Sequence, residues 1–487
     1  MSLPEPGSWL ASNSSLTSSF YLSVQWRGGG LPYIGPMSAA PATRTERPRL
    51  LIVGGGYVGL YTTMRLLKKL RADEAVVTVV DPRSYMTYQP FLPEAAAGAV
   101  SPRHLVVPLR RVLQGAEIIT AKVTEISHER KQATVQPLEG DAYTLEYDQL
   151  VMAVGSVSRT LPIPGLADWA TGFKTVEEAI QLRNRVLECL DIAESTHSPD
   201  IRERNLNFVV VGGGFAGVEA LAELEDMARY TTRYYPTIDA DDVTFHLVEA
   251  AGAILPEVGP EMGVWTLEQL RGRGIDVKLD TRLESCVDGH VVLSDGTTFD
   301  AETVVWTAGV TASPVLGNTD LPLNERGRLL ADANLRVVGT ADAWGAGDGA
   351  AVPDLTTDDQ RECAPNAQHA VRQSKVLANN IVASLRGLPE HEYKHKYVGS
   401  VAGLGLYKGV ANVYGIKLKG VPAWFMHRTY HMSRVPTLNR KMRVIADWTL
   451  ALFFKREIVS LWSMHEPFNE FQAAAAPPKR KAPPSSA

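Results

Sequence analysis

Two stretches of this chain repeat one backbone grammar: apolar strand, glycine turn, helix, second strand, acid. In the first, Arg49 to Val53 feeds Gly54-Gly55-Gly56-Tyr57-Val58-Gly59. Apolar residues then recur at helical spacing through Leu60, Met64, Leu67 and Leu70, and a strand from Ala75 to Val80 ends at Asp81. In the second, Asn207 to Val211 feeds Gly212-Gly213-Gly214-Phe215-Ala216-Gly217, a helix over Val218 to Arg229 and a strand from Val243 to Val248 that ends at Glu249. The three spaced glycines have separate tasks. Gly54 and Gly212 allow the tight turn, Gly56 and Gly214 let backbone approach a pyrophosphate, and Gly59 and Gly217 let the helix pack on the strand. The helix N-terminus then turns its free N–H groups toward phosphate oxygens. A glycine turn alone fits any βα connection. The five parts in this order predict a dinucleotide site, and their recurrence predicts two, unless one copy is a duplicated fold with no ligand.

The acids select the ligand. Asp81 is placed to accept hydrogen bonds from an adenosine ribose. Glu249 is placed to bind a free 2′-hydroxyl and to repel a 2′-phosphate, and the following Ala250, Ala251 and Gly252 provide no arginine for such a phosphate. NADH is therefore expected rather than NADPH. A nicotinamide gives up two electrons as hydride and a flavin accepts them, so two sites in one chain suit a bound flavin and a visiting nicotinamide. The segment Tyr230 to Asp242 lengthens the path to Glu249 and receives no role from its sequence.

Two further segments look like the strands that close each unit. Glu146 to Ser156 ends at a turn containing Gly155, and Thr303 to Gly309 ends at Gly309. Each follows a turn pair, Gly140-Asp141 or Asp295-Gly296, and Pro162 to Gly165 reads as a linker. A third run, Leu335 to Asp348, reads as a strand entering a glycine turn at Gly347. Its Asp348 is suited to a flavin ribityl hydroxyl or to its phosphate through a bridging group. With 487 residues the chain suits two or three domains. The expected fold is α/β: two Rossmann-like dinucleotide-binding domains, the FAD domain discontinuous, plus a basic, amphipathic C-terminal region. The expected boundaries are 48–160 with 300–395 for FAD, 161–299 for NADH, and 396–465 for membrane association or dimerisation.

The flanks differ. Residues 1–47 are rich in Ser, Pro and Gly, with Phe20 to Val24 as the one strand-like stretch, and Ala473 to Ala487, within the tail 466–487, is made of Ala, Pro, Lys, Arg and Ser, so both flanks read as disordered. The start lacks the basic and apolar runs of a secretory signal, and Met37 offers a second possible beginning. A formal net charge of −5 argues against nucleic acid as a partner. Cys189, Cys286 and Cys363 are far apart and form neither a disulfide framework nor a metal site, which suits a reducing compartment.

These motifs resemble the type II NADH dehydrogenases, which are NADH:quinone oxidoreductases, over about residues 48–465. The likeness is carried by Val210 to Leu221, by Gly339 to Asp348, by Tyr88 to Gly98, and by Ala364 to Gln373. It is nearest to actinobacterial members through Pro422 to Arg428 and Arg434 to Arg440. The resemblance implies FAD in the first unit, NADH in the second and a membrane quinone as acceptor, menaquinone for an actinobacterial relative. It further implies no proton pumping, a homodimer, and peripheral attachment on the cytoplasmic side of the cell membrane. It places Glu219 near the nicotinamide and flavin, and Gln368 and Gln373 beside the quinone. Two departures, Phe91-Leu92-Pro93 and a less apolar C-terminal region, fall on the acceptor side. A soluble NADH-dependent flavin oxidoreductase with another acceptor and a redox-responsive interaction module remain alternatives.

Each candidate has a plainer reading beside it. Glu219, read in the first turn of its helix, answers the helix dipole or positions the nicotinamide and relays a proton. Gln368, after Pro365, is a cap or surface residue, or a neutral donor to a quinone carbonyl. Gln373, about one and a half turns on, need not share its face. His369 and Arg372 are weaker candidates, a histidine here being more often a structural residue, and no metal site is expected, since His427, His431 and His465 form no constellation. A sulfide:quinone chemistry would need paired redox cysteines, and Cys189, read on a surface helix, shows none. From Lys417 to His465 nine Lys or Arg residues accompany two acids, with Trp424, Phe425, Trp448, Phe453 and Phe454 interleaved. Such a mix suits an anionic membrane surface, or packing against the first domain or a second subunit.

Overall fold

A computed structural model describes residues 47–461 except 359, 360 and 397. The N-terminal extension before residue 47, the tail after 461 and His465 lie outside the described residues.

The first sheet has seven strands, in the order Ala343–Gly345, Gln149–Met152, Arg49–Val53, Val76–Asp81, Glu117–Ser127, Gln132–Pro137 and Tyr143–Glu146. The first five run parallel and the last two return as antiparallel hairpins. Register brings the ends of the central strands together: Val53 lies beside both Val80 and Met152. The loops bearing Gly54, Asp81 and Gly155 therefore converge at one edge, where open α/β sheets bind ligands. Ala343–Gly345 joins this sheet after the second unit has been completed, so the chain leaves the first sheet and comes back.

The second sheet is wholly parallel, in the order Thr171–Gly172, Thr303–Trp306, Asn207–Val211, Thr244–Val248 and Asp276–Lys278. Every residue of Asn207–Val211 is buried, as a central parallel strand covered on both faces requires. The α/β class with two nucleotide-type units is thus the observed architecture. The two turn pairs also sit where they were read: Gly140 and Gly296 both take positive φ between paired strands.

Three local readings are corrected. Leu335 to Asp342 is a series of turns, because Leu335 and Gly339 take φ of 70 and 80, and the strand is Ala343–Gly345 alone. Cys189 is fully buried on the inner face of the Val176–Ser195 helix. Glu219 stands a turn beyond the start of the Phe215–Thr232 helix, whose first turn has no acid, so the helix dipole does not account for it. The segment from Tyr230 continues that helix to Thr232 and then folds back, pinned by Arg202 on Asp242 and Arg229 on the Ala240 carbonyl.

Beyond residue 398 a three-stranded antiparallel sheet (Gly399–Gly403, Gly409–Val413, Ile416–Lys419) leads into two helices, Val421–Arg434 and Leu438–Phe453. One face of this helical pair packs inward. The Tyr61 and Tyr88 hydroxyls donate to the Arg434 and His431 carbonyls at 2.8 Å each, and Phe91 meets the Trp448 ring edge-on at 5.4 Å. The other face leaves Leu438, Met442, Leu450, Leu452 and Phe453 exposed, Phe453 at 78%. Among the described residues no helix is long and apolar enough to cross a membrane.

The packing glycines give a direct test. A Cβ on Gly59 or Gly217 would strike the Gly54 or Gly212 carbonyl oxygen, whereas one on Gly56 would meet nothing within 4 Å. Gly59→Val should therefore cost about 1–3 kcal/mol of overpacking and lower the melting temperature. Gly56→Ala should leave the melting temperature of the ligand-free protein near the parent value.

Candidate active site

Both glycine turns are fastened in the same way. Asp81 Oδ2 accepts the Gly55 N–H at 2.6 Å and its Oδ1 accepts the Arg83 N–H at 2.7 Å. Glu249 Oε2 accepts the Gly213 N–H at 2.5 Å and its Oε1 accepts the Ala251 N–H at 2.7 Å. Each acid thus holds the middle glycine of its own loop, a task the sequence did not indicate. The left-handed turns at Gly54 and Gly212, with φ of 103 and 115, curl the backbone so that Gly56 and Gly214 cap the following helices. A Cβ on Gly56, Gly155, Gly214 or Gly309 would enter open space. These are cradles from which side chains are missing where a phosphate must approach, and they fit a dinucleotide at each loop.

Two cavities adjoin the first loop. One, about 470 Å³, is lined by Gly54, Gly56, Asp81 and Gly155 among others. The second, about 760 Å³, is lined by residues of both units and of the C-terminal helices. Tyr57, Gln89, Ser158, Lys174, Asp348 and Ala367 line both, so the two form one groove. Asp348 Oδ2 accepts the Ser156 hydroxyl at 2.7 Å, and Lys174 Nζ donates to Ser156 Oγ at 2.6 Å. Lys174 is set in place by a capping box: Glu178 accepts both the Lys174 and Thr175 N–H groups ahead of the Val176–Ser195 helix. Burial lowers the Lys174 ammonium's pKa, and Asp348 and Glu178 oppose that shift. No local motif marked Lys174, because its place depends on strands brought together from distant parts of the chain.

The predicted residues separate here. Glu219 lines the larger cavity and is buried, with Oε1 accepting the Gly403 N–H at 2.7 Å. His427 Nε2 lies 3.0 Å from the same oxygen but outside hydrogen-bonding geometry. Burial pushes the Glu219 carboxyl up to about 7, and pushes His427 and His431 down to about 3. Gln368 also lines the cavity. Its Oε1 accepts the Val398 N–H at 3.2 Å and lies 3.3 Å from His395 Nε2, while its Nε2 donates to the Gly399 carbonyl at 3.3 Å. The helix cap is Asn366, which accepts the His369 N–H, and Pro365 lies before it. Gln373 faces elsewhere: it is buried, and its Oε1 accepts the Gly347 N–H at 2.7 Å. It braces the turn that carries Asp348. His369 is structural, bonded through Nδ1 to the Tyr393 hydroxyl at 2.8 Å.

The profile of the pyridine nucleotide-disulphide oxidoreductase family matches residues 48–374. A type II NADH:quinone oxidoreductase of Staphylococcus saprophyticus is 30% identical over 388 residues, covering 79% of this chain and 94% of the relative. The chain belongs to that family, on its type II NADH:quinone oxidoreductase branch. A type II enzyme of Mycobacterium tuberculosis is 27% identical over 87% of this chain and 92% of its own. The fold agrees: the structure of NDH2 from Plasmodium falciparum in complex with NADH superposes with a TM-score of 0.78 at 18% identity, covering 85% of this chain and 99% of the other. A sulfide:quinone oxidoreductase of Aquifex aeolicus shares the fold at a TM-score of 0.63 and 17% identity, covering 84% and 96%.

In this type II chain the three cysteines are free and buried, and none lines the cavity. Burial raises Cys189 to about 12 and Cys363 to about 11, so both stay protonated at neutral pH. Thiol chemistry therefore has no foothold in the groove. The buried carboxyl has a consequence for stability. A carboxyl raised by folding stabilises the native state below its unfolded pKa, and that contribution disappears as pH climbs through about 7. Glu219→Gln removes the dependence, so relative to the parent its melting temperature should be higher at pH 8 than at pH 5. An unchanged difference across that range would contradict the burial argument.

Proposed function

We propose that this protein is a peripheral membrane flavoenzyme that carries a hydride from NADH to FAD and two electrons onward to a membrane quinone, without pumping protons. The observation that carries the reading is the single groove, running from the first glycine loop to a chamber walled by both nucleotide units and by the C-terminal helices. In this reading residues 48–160 and 300–395 hold FAD and 161–299 hold NADH. Bound in the groove, an isoalloxazine supplies the carrier that takes a hydride and yields electrons to the next acceptor.

The residues divide the work. Gly54, Gly56 and Gly59 set the FAD pyrophosphate against a helix N-terminus, and Asp81 holds that loop while meeting the ribose. Gly155, Gly347 and Asp348 border the middle of the cofactor, where Gln373 supports the Asp348 turn and Lys174 offers a cation. Gly212, Gly214 and Gly217 do the same for NADH, with Glu249 at the ribose and Gly309 opening the floor of the chamber. Glu219 stands where the two units meet, holding a proton at the wall. Gln368, its amide fixed by His395, Val398 and Gly399, keeps one N–H for an acceptor carbonyl. Catalysis of the hydride step itself is alignment of the two rings.

The acceptor side is supported by the chamber's outer wall, which Met426, Tyr430, His431 and Arg434 supply from the first C-terminal helix. That helix and the next expose Phe425, Met442, Leu450 and Phe453 beside Arg440, Lys441 and Arg443. A basic, apolar face of this kind rests on an anionic membrane surface, from which a lipid-tailed quinone, menaquinone by the actinobacterial likeness, can reach the chamber. The side is the cytoplasmic one and the assembly a homodimer.

Three outcomes check this. Glu249→Gln keeps an acceptor for the Gly213 N–H but loses the charge, so steady-state preference for NADH over NADPH should narrow roughly tenfold, about 1.4 kcal/mol. Leu450→Asp with Phe453→Asp should abolish co-sedimentation with anionic vesicles while dye reduction by NADH persists. Retained vesicle binding would assign that face to subunit contact. Gln368→Ala should lower the rate with menaquinone far more than the rate at which NADH bleaches the flavin, and equal losses would remove Gln368 from the acceptor side.

A further inference from the structure

A cofactor that reaches from the first glycine loop into the chamber must pass the residues that line both cavities, and Lys174 is the one cation among them. Arg83 borders only the smaller cavity. Arg372 and Arg434 border only the larger, and Arg434 is exposed. Lys174 belongs to the second unit: it follows the edge strand Thr171–Gly172 and precedes the Val176–Ser195 helix. The groups it meets, Ser156 and Asp348, belong to the first.

Three contacts hold this lysine in place. Glu178 Oε2 accepts its backbone N–H at 2.6 Å, Gln89 Nε2 donates to its carbonyl at 3.0 Å, and its Nζ donates to Ser156 Oγ at 2.6 Å. Ser156 gives its own proton to Asp348 Oδ2 at 2.7 Å. A hydroxyl whose proton is committed can only accept from a further donor, so the chain has one direction, from cation through hydroxyl to carboxylate. Ser156 Oγ is the one hydrogen-bond partner of the ammonium among the described residues, and the ammonium makes no ion pair there. An ammonium has three donors, so two remain for whatever fills the groove. A half-buried cation without a full set of partners is costly to keep charged, which favours an anionic group beside it.

The hydride step changes the charge of the groove. A hydride brings two electrons and one proton, so NADH and a neutral flavin ring give NAD⁺ and a ring with one negative charge. NAD⁺ leaves with the positive charge, and the negative one stays. We propose that Lys174 is its counter-charge: the ammonium, carried to the crossing by the second unit, binds the reduced flavin more tightly than the oxidised one and so raises the midpoint potential. A cation fixed in advance needs no reorganisation when the charge arrives, and in partly buried surroundings the attraction is several times stronger than in water. Asp348 on its own would act in the opposite sense. The Ser156 hydroxyl keeps the ammonium one group away from that carboxylate and leaves its charge available to the ring. The assignment rests on the flavin reading of the groove.

The test follows the midpoint potential of the flavin bound to the full-length protein, by stepwise reduction beside a reference dye. Lys174→Met keeps the side chain's length and removes its charge, so the potential should fall by about 30 mV, a tenfold loss of preference for the reduced form. Lys174→Arg keeps the charge and should stay near the parent. Ser156→Ala lets the ammonium close on Asp348 and should lower the potential by a smaller step in the same direction. On protein stripped of flavin, Lys174→Met should bind oxidised FAD as the parent does and reduced FAD more weakly by the same factor. An unchanged potential in Lys174→Met would overturn the counter-charge, as would an equal fall in Lys174→Arg, which marks lost packing. A Lys174→Met protein that takes up no oxidised flavin where the parent does would also overturn it, because Lys174 would then hold the cofactor in either state. A parent protein that itself takes up no flavin would instead overturn the cofactor reading beneath it.

Discussion

A carboxylate at the end of one strand grips the N–H of the middle glycine in the neighbouring loop, and this happens twice. Asp81 holds Gly55, and Glu249 holds Gly213. A glycine turn at φ above 100 is a conformation that few residues adopt and that the chain leaves easily. Tying its centre to the adjacent strand keeps the turn open toward phosphate, with the helix N–H groups aimed outward. Parallel register then brings each turn to the sheet edge beside its partner strands. The groove, the chamber and the meeting of the two units all follow from these two fixed points.

The second constraint is electrostatic. The C-terminal sheet and helices close over the chamber and bury Glu219 against the Gly403 N–H. The same packing encloses Glu223, Glu94, His427 and Arg428. Dry surroundings shift Glu219, Glu223, Glu94 and His427 away from their charged forms. The hairpin of helices thus has two jobs on two faces. Its inner face sets protonation beneath the cavity, and its outer face presents bare apolar residues among cations.

How much of this the amino-acid sequence revealed depends on how local the cause is. The two loops, their helices and the strands around them were legible because glycine spacing and apolar runs act within a few residues. The return of the chain to its first sheet was legible in outline, though the strand proved to be Ala343–Gly345, since positive φ at Leu335 and Gly339 occupies the stretch before it. Glu219 and Gln368 were found by resemblance, and both face the chamber. Gln373 was also selected but turns to Gly347, because five residues along a helix bring a side chain to another face. Lys174, Glu94 and Glu223 were missed. Nothing near them in sequence marks them, and their character comes from burial by segments far away. The C-terminal alternatives were also more entangled than sequence allowed, since one face packs against Tyr61, Tyr88 and Phe91 while the other stays open.

The central claim is that the two loops hold two dinucleotides so that a nicotinamide ring rests on an isoalloxazine. Anaerobic stopped-flow mixing of the purified yellow protein with NADH carrying deuterium at the transferred position of C4 tests it most directly. The account predicts rapid bleaching of the flavin band, slowed severalfold by the deuterium. A protein that binds no flavin when it is supplied, or whose flavin band NADH leaves unchanged, would contradict it.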